Sequence, residues 1–145
     1  MAAVLPEQGL GYLLITQFNA VSTQMSAAVG SALRDLDLTE PSANLLWLLD
    51  PDTDPPSMTH LADRLGCDPS TVTFLVDKLE KRGSVQRRAS RRDGRVKVVA
   101  LTAAGIEQRR KLVEAMTARS PMARLSTKEQ QQLHRLLSKA TSRTT

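Results

Sequence analysis

The sequence predicts a mainly α-helical protein with one small β-hairpin set between helices. Three observations predict it. Apolar residues recur at spacings of three and four in the first 36 residues and again towards the C-terminus. Two β-rich segments, 85–89 and 96–101, flank an Asp-Gly pair, a strong hairpin signal. Aromatics are 3% of the chain and apolar residues 41%, so the core must be Leu, Val and Ala, which suits helices better than a sandwich or barrel. At 145 residues the chain fits one domain, 1–145, and can bury a core without disulfides or metal.

Residues 1–7 read as a lead-in. Leu10, Leu14, Phe18, Val21, Met25, Ala28, Ala32 and Leu36 then form one stripe of a long amphipathic helix within 8–36. At ~1.5 Å per residue it spans roughly 40 Å. Its second apolar edge (Leu13, Val29, Leu33) needs a partner. The helix is either a long core helix or, as that edge favours, one shared between two copies. Thr39 is placed to cap the next helix, with Pro41 in its first turn. Its Leu-dense run through Leu49, with Trp47, reads as buried. Residues 50–57, with three acids and three prolines, form a loop.

Ser57 or Thr59 can cap a third helix with Leu61, Ala62 and Leu65 inward, ended by Gly66. Asp68 then caps a fourth, with Pro69 at its first position and Val72, Leu75, Val76 and Leu79 on the core side. Two short helices joined by a tight Gly-containing turn make a helix-turn-helix. At 100° per residue, Ser70, Thr73, Phe74, Asp77 and Lys81 lie opposite the core stripe, with Thr71 and Lys78 on its flanks. Short hydroxyl side chains there allow close approach to base edges, and lysines to phosphates. Gly83 ends the helix. The hairpin follows, its tip Ser90-Arg-Arg-Asp-Gly-Arg95 of a size to enter a minor groove, where arginine is favoured. Asp93 repels phosphate, so it reads as an orienter of Arg95. Thr102 caps a helix carrying Ile106, Val113 and Met116, which Pro121 ends. Ser126-Thr-Lys-Glu129 is a capping box opening a last helix with Leu133, Leu136, Leu137 and Ala140. These C-terminal helices lie far from the wing in sequence and are expected in a separate layer with the first helix.

Charge points to the partner. Between Lys78 and Lys97 nine Lys or Arg face two acids, a local net charge of +7 against +5 for the whole chain. The rest of the chain therefore sums to −2, and the basic segment is a footprint for a polyanion, with a solvated basic loop as the plainer alternative. The lone Cys67 suits a reducing cytoplasm. No apolar run nears the ~20 residues of a membrane span, and no signal peptide is expected. His60, His134 and Cys67 lack metal-ligand spacing, and no phosphate loop or Ser/His/Asp set is suggested, so neither an enzyme nor a cofactor is expected.

LADRLGCDPSTVTFLVDKLEKRG, the basic hairpin with Asp93-Gly94-Arg95, and then VALTAAG together resemble the MarR (multiple antibiotic resistance regulator) family of bacterial winged helix-turn-helix repressors. The close match runs from about Thr59 to Gly105. The resemblance implies a homodimer built from helices in 8–36 and 103–141, a DNA-binding lobe at 39–101, and a pseudo-palindromic double-stranded operator. By position, Ser70, Thr71, Thr73 and Lys78 match the family's recognition-helix contacts, Arg95 its wing arginine and Asp93 its orienting acid; the outward helix face adds Phe74 and Lys81, and the basic hairpin Arg87, Arg88, Arg91 and Arg92, as candidate DNA contacts. Two positions depart. Phe74 stands where many members have arginine; it touches a thymine methyl or, slightly favoured, packs on its neighbours. Ser84 stands where an apolar residue is usual, and is expected to loosen the wing base.

The resemblance also implies a small phenolic or aromatic effector, held between the dimer helices and the winged lobe, or an oxidant. Candidate contacts are Tyr12, Phe18, Trp47 and His60, although Trp47 reads better as core and His60 as helix surface. Cys67 precedes the recognition helix, where a thiolate can be stabilised. The family's oxidant-sensing cysteine lies near the N-terminus, so a structural thiol is favoured over a redox-responsive regulator. A different class, a winged-helix module for protein partners, predicts no dependence on DNA sequence.

Overall fold

The computed structural model describes residues 7–142. Residues 1–6 of the expected lead-in lie outside the described residues, and Glu7 already begins the first helix. The elements are α1 (Glu7–Leu36), α2 (Glu40–Leu48), α3 (Met58–Leu65), α4 (Pro69–Lys81), β1 (Val85–Ala89), β2 (Lys97–Leu101), α5 (Ala103–Arg119), a 3-10 turn (Pro121–Arg124) and α6 (Thr127–Thr141). They fall into two compact units. One is 30–115; the other joins the residues up to Val29 with those from Met116 onward.

The core of the 30–115 unit follows the aliphatic stripes. Leu45, Leu46, Leu49, Leu61, Val72, Val76, Leu79, Val85, Val99 and Leu112 are each 2% exposed or less. Burying such a side chain is worth ~1.5–3 kcal/mol, which is why these short helices hold in place. Trp47 is not part of this core. Ser42, Ala43, Leu45 and Leu46 form the buried face of α2, and Trp47 lies on the opposite arc, 43% exposed. The leucines already fill the space the indole was expected to take.

The hairpin pairs Val85 with Leu101, Arg87 with Val99 and Ala89 with Lys97. Its connection takes in Val96 as well as the expected Ser90–Arg95 tip. Residues 90–96 join the strands, closed by Ser90 N–H donating to Val96 O (2.8 Å) and Val96 N–H to Asp93 O (3.0 Å). Asp93 Oδ1 accepts from Arg95 N–H at 3.1 Å, so the aspartate side chain shapes the turn and Gly94 takes no positive φ. Gly66 (φ 64°) and Gly83 (φ 75°) are the left-handed glycines, each just past the last turn of a helix. On the far side of β2, Val99 N–H donates to Pro56 O (2.9 Å) and Ser57 bridges Val98. Ser57 Oγ also accepts from His60 N–H, capping α3.

The base of the hairpin is tied down, not loosened. Ser84 is 4% exposed; its hydroxyl donates to Gln108 Oε1 (2.6 Å) and its carbonyl accepts from Thr102 N–H (3.1 Å). A polar residue is tolerated because both of its groups are satisfied. Thr102 Oγ1 caps α5 by accepting from Gly105 N–H (3.0 Å). Sequence distance is therefore a poor guide here: α5 up to Ala115 belongs to the same unit as the hairpin, with Leu112 fully buried.

In the other unit, α6 opens with the full capping box between Ser126 and Glu129. Gln130 Nε2 donates to Met122 O and Leu125 O, both at 3.0 Å, fixing the 3-10 turn to α6. Leu10, Leu14, Ile15 and Phe18 of α1 and Leu136 and Leu137 of α6 are all exposed. Among the described residues no helix is long and apolar enough to cross a membrane.

Candidate nucleic-acid interface

The start of α4 is set by its cap. Asp68 accepts from the Ser70 hydroxyl and from Thr71 N–H (2.8 Å). These two bonds, the Ser70 hydroxyl foremost, hold the Asp68 carboxyl below its usual range. With Val72, Leu75, Val76 and Leu79 buried, helical geometry turns Ser70, Thr73, Phe74, Asp77 and Lys81 outward, and leaves Thr71 and Lys78 half-buried at the flanks. The Thr73 hydroxyl donates to Pro69 O (3.0 Å) and that of Ser70 to Asp68. Both therefore turn acceptor lone pairs outward. Phe74 does not pack away among its neighbours; it is 66% exposed, because the aliphatic stripe leaves no room on the core side.

The five wing arginines divide sharply. Arg87 shares a strand face with Val85 and turns inward. It bonds Asp77 Oδ1 (2.6 Å), Glu80 and Thr73 O. Partial burial opposes its charge, but the two carboxylates outweigh that and raise its pKa. Its charge is spent on α4, so it is a brace between helix and hairpin and not an outward cation. The signal for this lay in Asp77 and Glu80, spaced i, i+3 on the helix that β1 packs against. Arg88, on the other strand face, is half-buried. Arg92 pairs with Asp54 across the wing (2.6 Å), both ends exposed. Arg91 has no ion-pair partner among the described residues. The Arg95 side chain is 92% exposed, and its Nε meets Asp93 Oδ1 at 3.2 Å.

One unit thus carries an outward helix face of short hydroxyls and lysine beside a hairpin tip of arginines, a form suited to reading a grooved polyanion. Residues 38–97 match the MarR family. A Mycobacterium tuberculosis MarR family protein, solved in complex with p-aminosalicylic acid, is 30% identical, with 92% of this chain and 98% of that one covered and a TM-score of 0.65.

The chain belongs to the MarR family.

CouR from Rhodococcus jostii RHA1, bound to p-coumaroyl-CoA, is similar at 26% identity over 99% of both chains, with a TM-score of 0.72. MepR from S. aureus, as a mutant bound to an oligodeoxyribonucleotide, shares the fold at 24% identity, 88% and 94% coverage and a TM-score of 0.63. No curated protein matches the chain. In this MarR fold α3 and α4 form the helix-turn-helix and the hairpin is the wing. The candidate effector residues do not converge within either unit. Tyr12 and Phe18 stand exposed on α1, and Trp47 on α2. His60 lines a cleft of about 470 Å³ with Leu48, Ser57, Arg64 and Arg92. Cys67 is half-buried, and its N–H donates to Ala62 O (3.2 Å) in the turn between α3 and α4. Among the described residues no three of His, Cys, Asp and Glu gather to hold a metal.

Proposed function

We propose that this MarR family chain is a cytoplasmic transcriptional repressor, a single-domain protein that binds a pseudo-palindromic double-stranded operator as a homodimer and is released by a small aromatic effector. The observation that carries this reading is the coexistence, in the 30–115 unit, of the outward α4 face and the arginine-tipped wing within a segment of net charge +7. On this reading α4 enters a major groove, where Ser70 and Thr73 accept from base amino groups and Phe74 meets a thymine methyl. Lys78 and Lys81 meet phosphates. Arg95, steered by Asp93, enters the adjacent minor groove, with Arg91 and Arg92 beside it.

The homodimer is supported by the exposed Leu10, Leu14, Ile15 and Phe18 of α1 and Leu136 and Leu137 of α6, a set a second copy would cover. The effector class is supported by the aromatic ligands of the M. tuberculosis protein and CouR. Tyr12, Phe18, Trp47 and His60 remain its proposed contacts. Fluorescence anisotropy with DNA from upstream of the gene tests the reading. Binding is expected to favour a pseudo-palindrome over scrambled duplex and to weaken steeply with salt, by roughly 10³-fold or more between 50 and 200 mM if about six phosphates are neutralised. Equal affinity for scrambled duplex, or a flat salt response, refutes it and favours a protein partner for the basic tip.

A further inference from the structure

The Phe74 ring finds no cover within its own helix. It is 66% exposed, and among the described residues it is the one large apolar side chain of α3 and α4 left in the open. Its neighbours three and four residues away along the helix are Ser70, Thr71, Asp77 and Lys78. None is an apolar residue, so no side chain one turn away shields the ring. The exposed apolar residues of α1 and α6 lie in the other unit, with a second copy proposed to cover them. Phe74 lies in the 30–115 unit and does not belong to that set.

The groups around the ring are already engaged. The Ser70 hydroxyl donates to Asp68, and that of Thr73 to Pro69 O. Asp77, the nearest acid along the helix, is bound to Arg87 at 2.6 Å, so its charge is offset. The ring therefore stands as an apolar point on the outward face, one turn beyond Ser70 and ahead of Lys78 and Lys81. A phenyl ring has no hydrogen-bonding group. Against the edge of guanine, adenine or cytosine it would leave polar atoms unpaired, at a cost. The major groove offers one apolar group, the C5 methyl of thymine. A cytosine methylated at C5 carries the same group on the same ring carbon.

We propose that Phe74 makes operator binding depend on a methyl group at pyrimidine C5, so that 5-methylcytosine at the facing position replaces thymine and unmodified cytosine does not. The inference rests on the DNA-binding reading proposed above and adds methylation of the operator as a signal it responds to. Taking one methyl-sized group out of the contact corresponds to about a fourfold loss of affinity per half-site, or roughly 16-fold for a duplex altered in both halves. The methyl is read by burial and not by charge, so this ratio holds as salt rises while overall affinity falls.

The test uses the full chain. The wild type first selects a duplex from a randomised pool. Each thymine of that duplex is then replaced in turn by deoxyuridine, which removes the methyl and nothing else, and affinity is read by fluorescence anisotropy at two salt concentrations. One thymine per half-site is expected to show the loss of about fourfold, equal at both salt concentrations. Cytosine at that place should weaken binding, and 5-methylcytosine should recover about fourfold of it. In Phe74→Ala the difference between thymine and deoxyuridine should vanish there and persist at any other sensitive position; Phe74→Leu, apolar but smaller, should keep part of it. The residue is exposed, so neither variant disturbs the core. The inference is overturned if no thymine is sensitive, if Phe74→Ala keeps the difference, or if methylating the cytosine fails to strengthen binding. Weaker binding by Phe74→Ala with no methyl-sensitive thymine overturns it too, since the ring would then meet sugar or backbone. If the wild type selects a sequence but ignores the methyl, this inference alone fails; if it selects no sequence, the DNA-binding reading fails with it.

Discussion

Gly105→Ala should be among the most damaging single-methyl changes in this protein. Ordinarily the change helps a helix, by about 1 kcal/mol. Here a Cβ on residue 105 would stand 1.8 Å from the Ser84 carbonyl oxygen, where real Cβ contacts keep at least 3.0 Å. The difference, 1.2 Å, must come from backbone on one side or the other. The Ser84 backbone is held by Ser84 N–H to Leu79 O (2.9 Å) and Thr102 N–H to Ser84 O (3.1 Å), and its side chain by Gln108. Losing two such bonds costs roughly 2 kcal/mol, and overpacking adds ~1–3 kcal/mol. Less the gain in helix propensity, the net is a loss of roughly 2–4 kcal/mol. Urea unfolding followed by circular dichroism measures it. Gly30→Ala is the control, because its Cβ would meet only Arg34 Nη1, at an ordinary 3.5 Å; it should be neutral or stabilising. If Gly105→Ala is as stable as Gly30→Ala, the close approach of α5 to the wing base is wrong.

Four further outcomes are expected. Arg95→Ala should weaken operator binding by ~1–3 kcal/mol and reduce the slope of log affinity against log salt by about 1; equal affinities in anisotropy would sink the wing assignment. Arg87→Gln should cost stability, about 1–2 kcal/mol given that its partners are half-exposed, while leaving that salt slope unchanged; a slope reduced by a full unit would mean that Arg87 meets phosphate after all. Phe74→Arg should tighten DNA binding and steepen the salt slope by about 1, since the position is exposed on the α4 face; no change in slope would place residue 74 off the DNA. For Asp68, the folded pKa lies below the ordinary 3.8, so its stabilisation is complete at neutral pH and is lost as pH falls through the folded value. Asparagine caps as well but does not titrate there. The stability gap between wild type and Asp68→Asn should therefore change between pH 7 and about pH 3 in thermal melts, and a pH-independent gap contradicts the account.

Much of the architecture was legible because its signals are local. Caps at Ser57, Asp68 and Ser126, glycines at 66 and 83, and the Val72–Leu79 stripe each act within one or two turns, so spacing alone locates α3, α4 and α6. What the sequence does not show has a different cause. Residue type alone places Trp47 in the core, but the arc it occupies is decided by which leucines reach the centre first. Ser84 read as a weakness because its partner Gln108 lies 24 residues on. Arg87 and Arg95 are both arginines in a basic hairpin, and only the pleat, with acids on the facing helix, distinguishes a brace from a tip. The Asp-Gly pair marks the hairpin tip from sequence, but only the structure shows that the Asp93 side chain shapes it by accepting from Arg95 N–H. Charge density was visible from composition; how it is split between inward and outward duties required the third dimension.

The backbone bonds from Val99 to Pro56 and the bridge from Ser57 to Val98 have a mechanical consequence. Ser57 is at once the cap of α3 and a neighbour of β2, so the hairpin cannot swing as an antenna without dragging the first helix of the helix-turn-helix. Arg87 fastens the same hairpin to α4 from its other face. The helix-turn-helix and the hairpin of the 30–115 unit are thus fastened into one piece. On the homodimer proposed above, operators whose two halves lie closer or farther apart would have to be accommodated by moving one copy's reading head against the other's, and tolerance for imperfect sites would be tuned there.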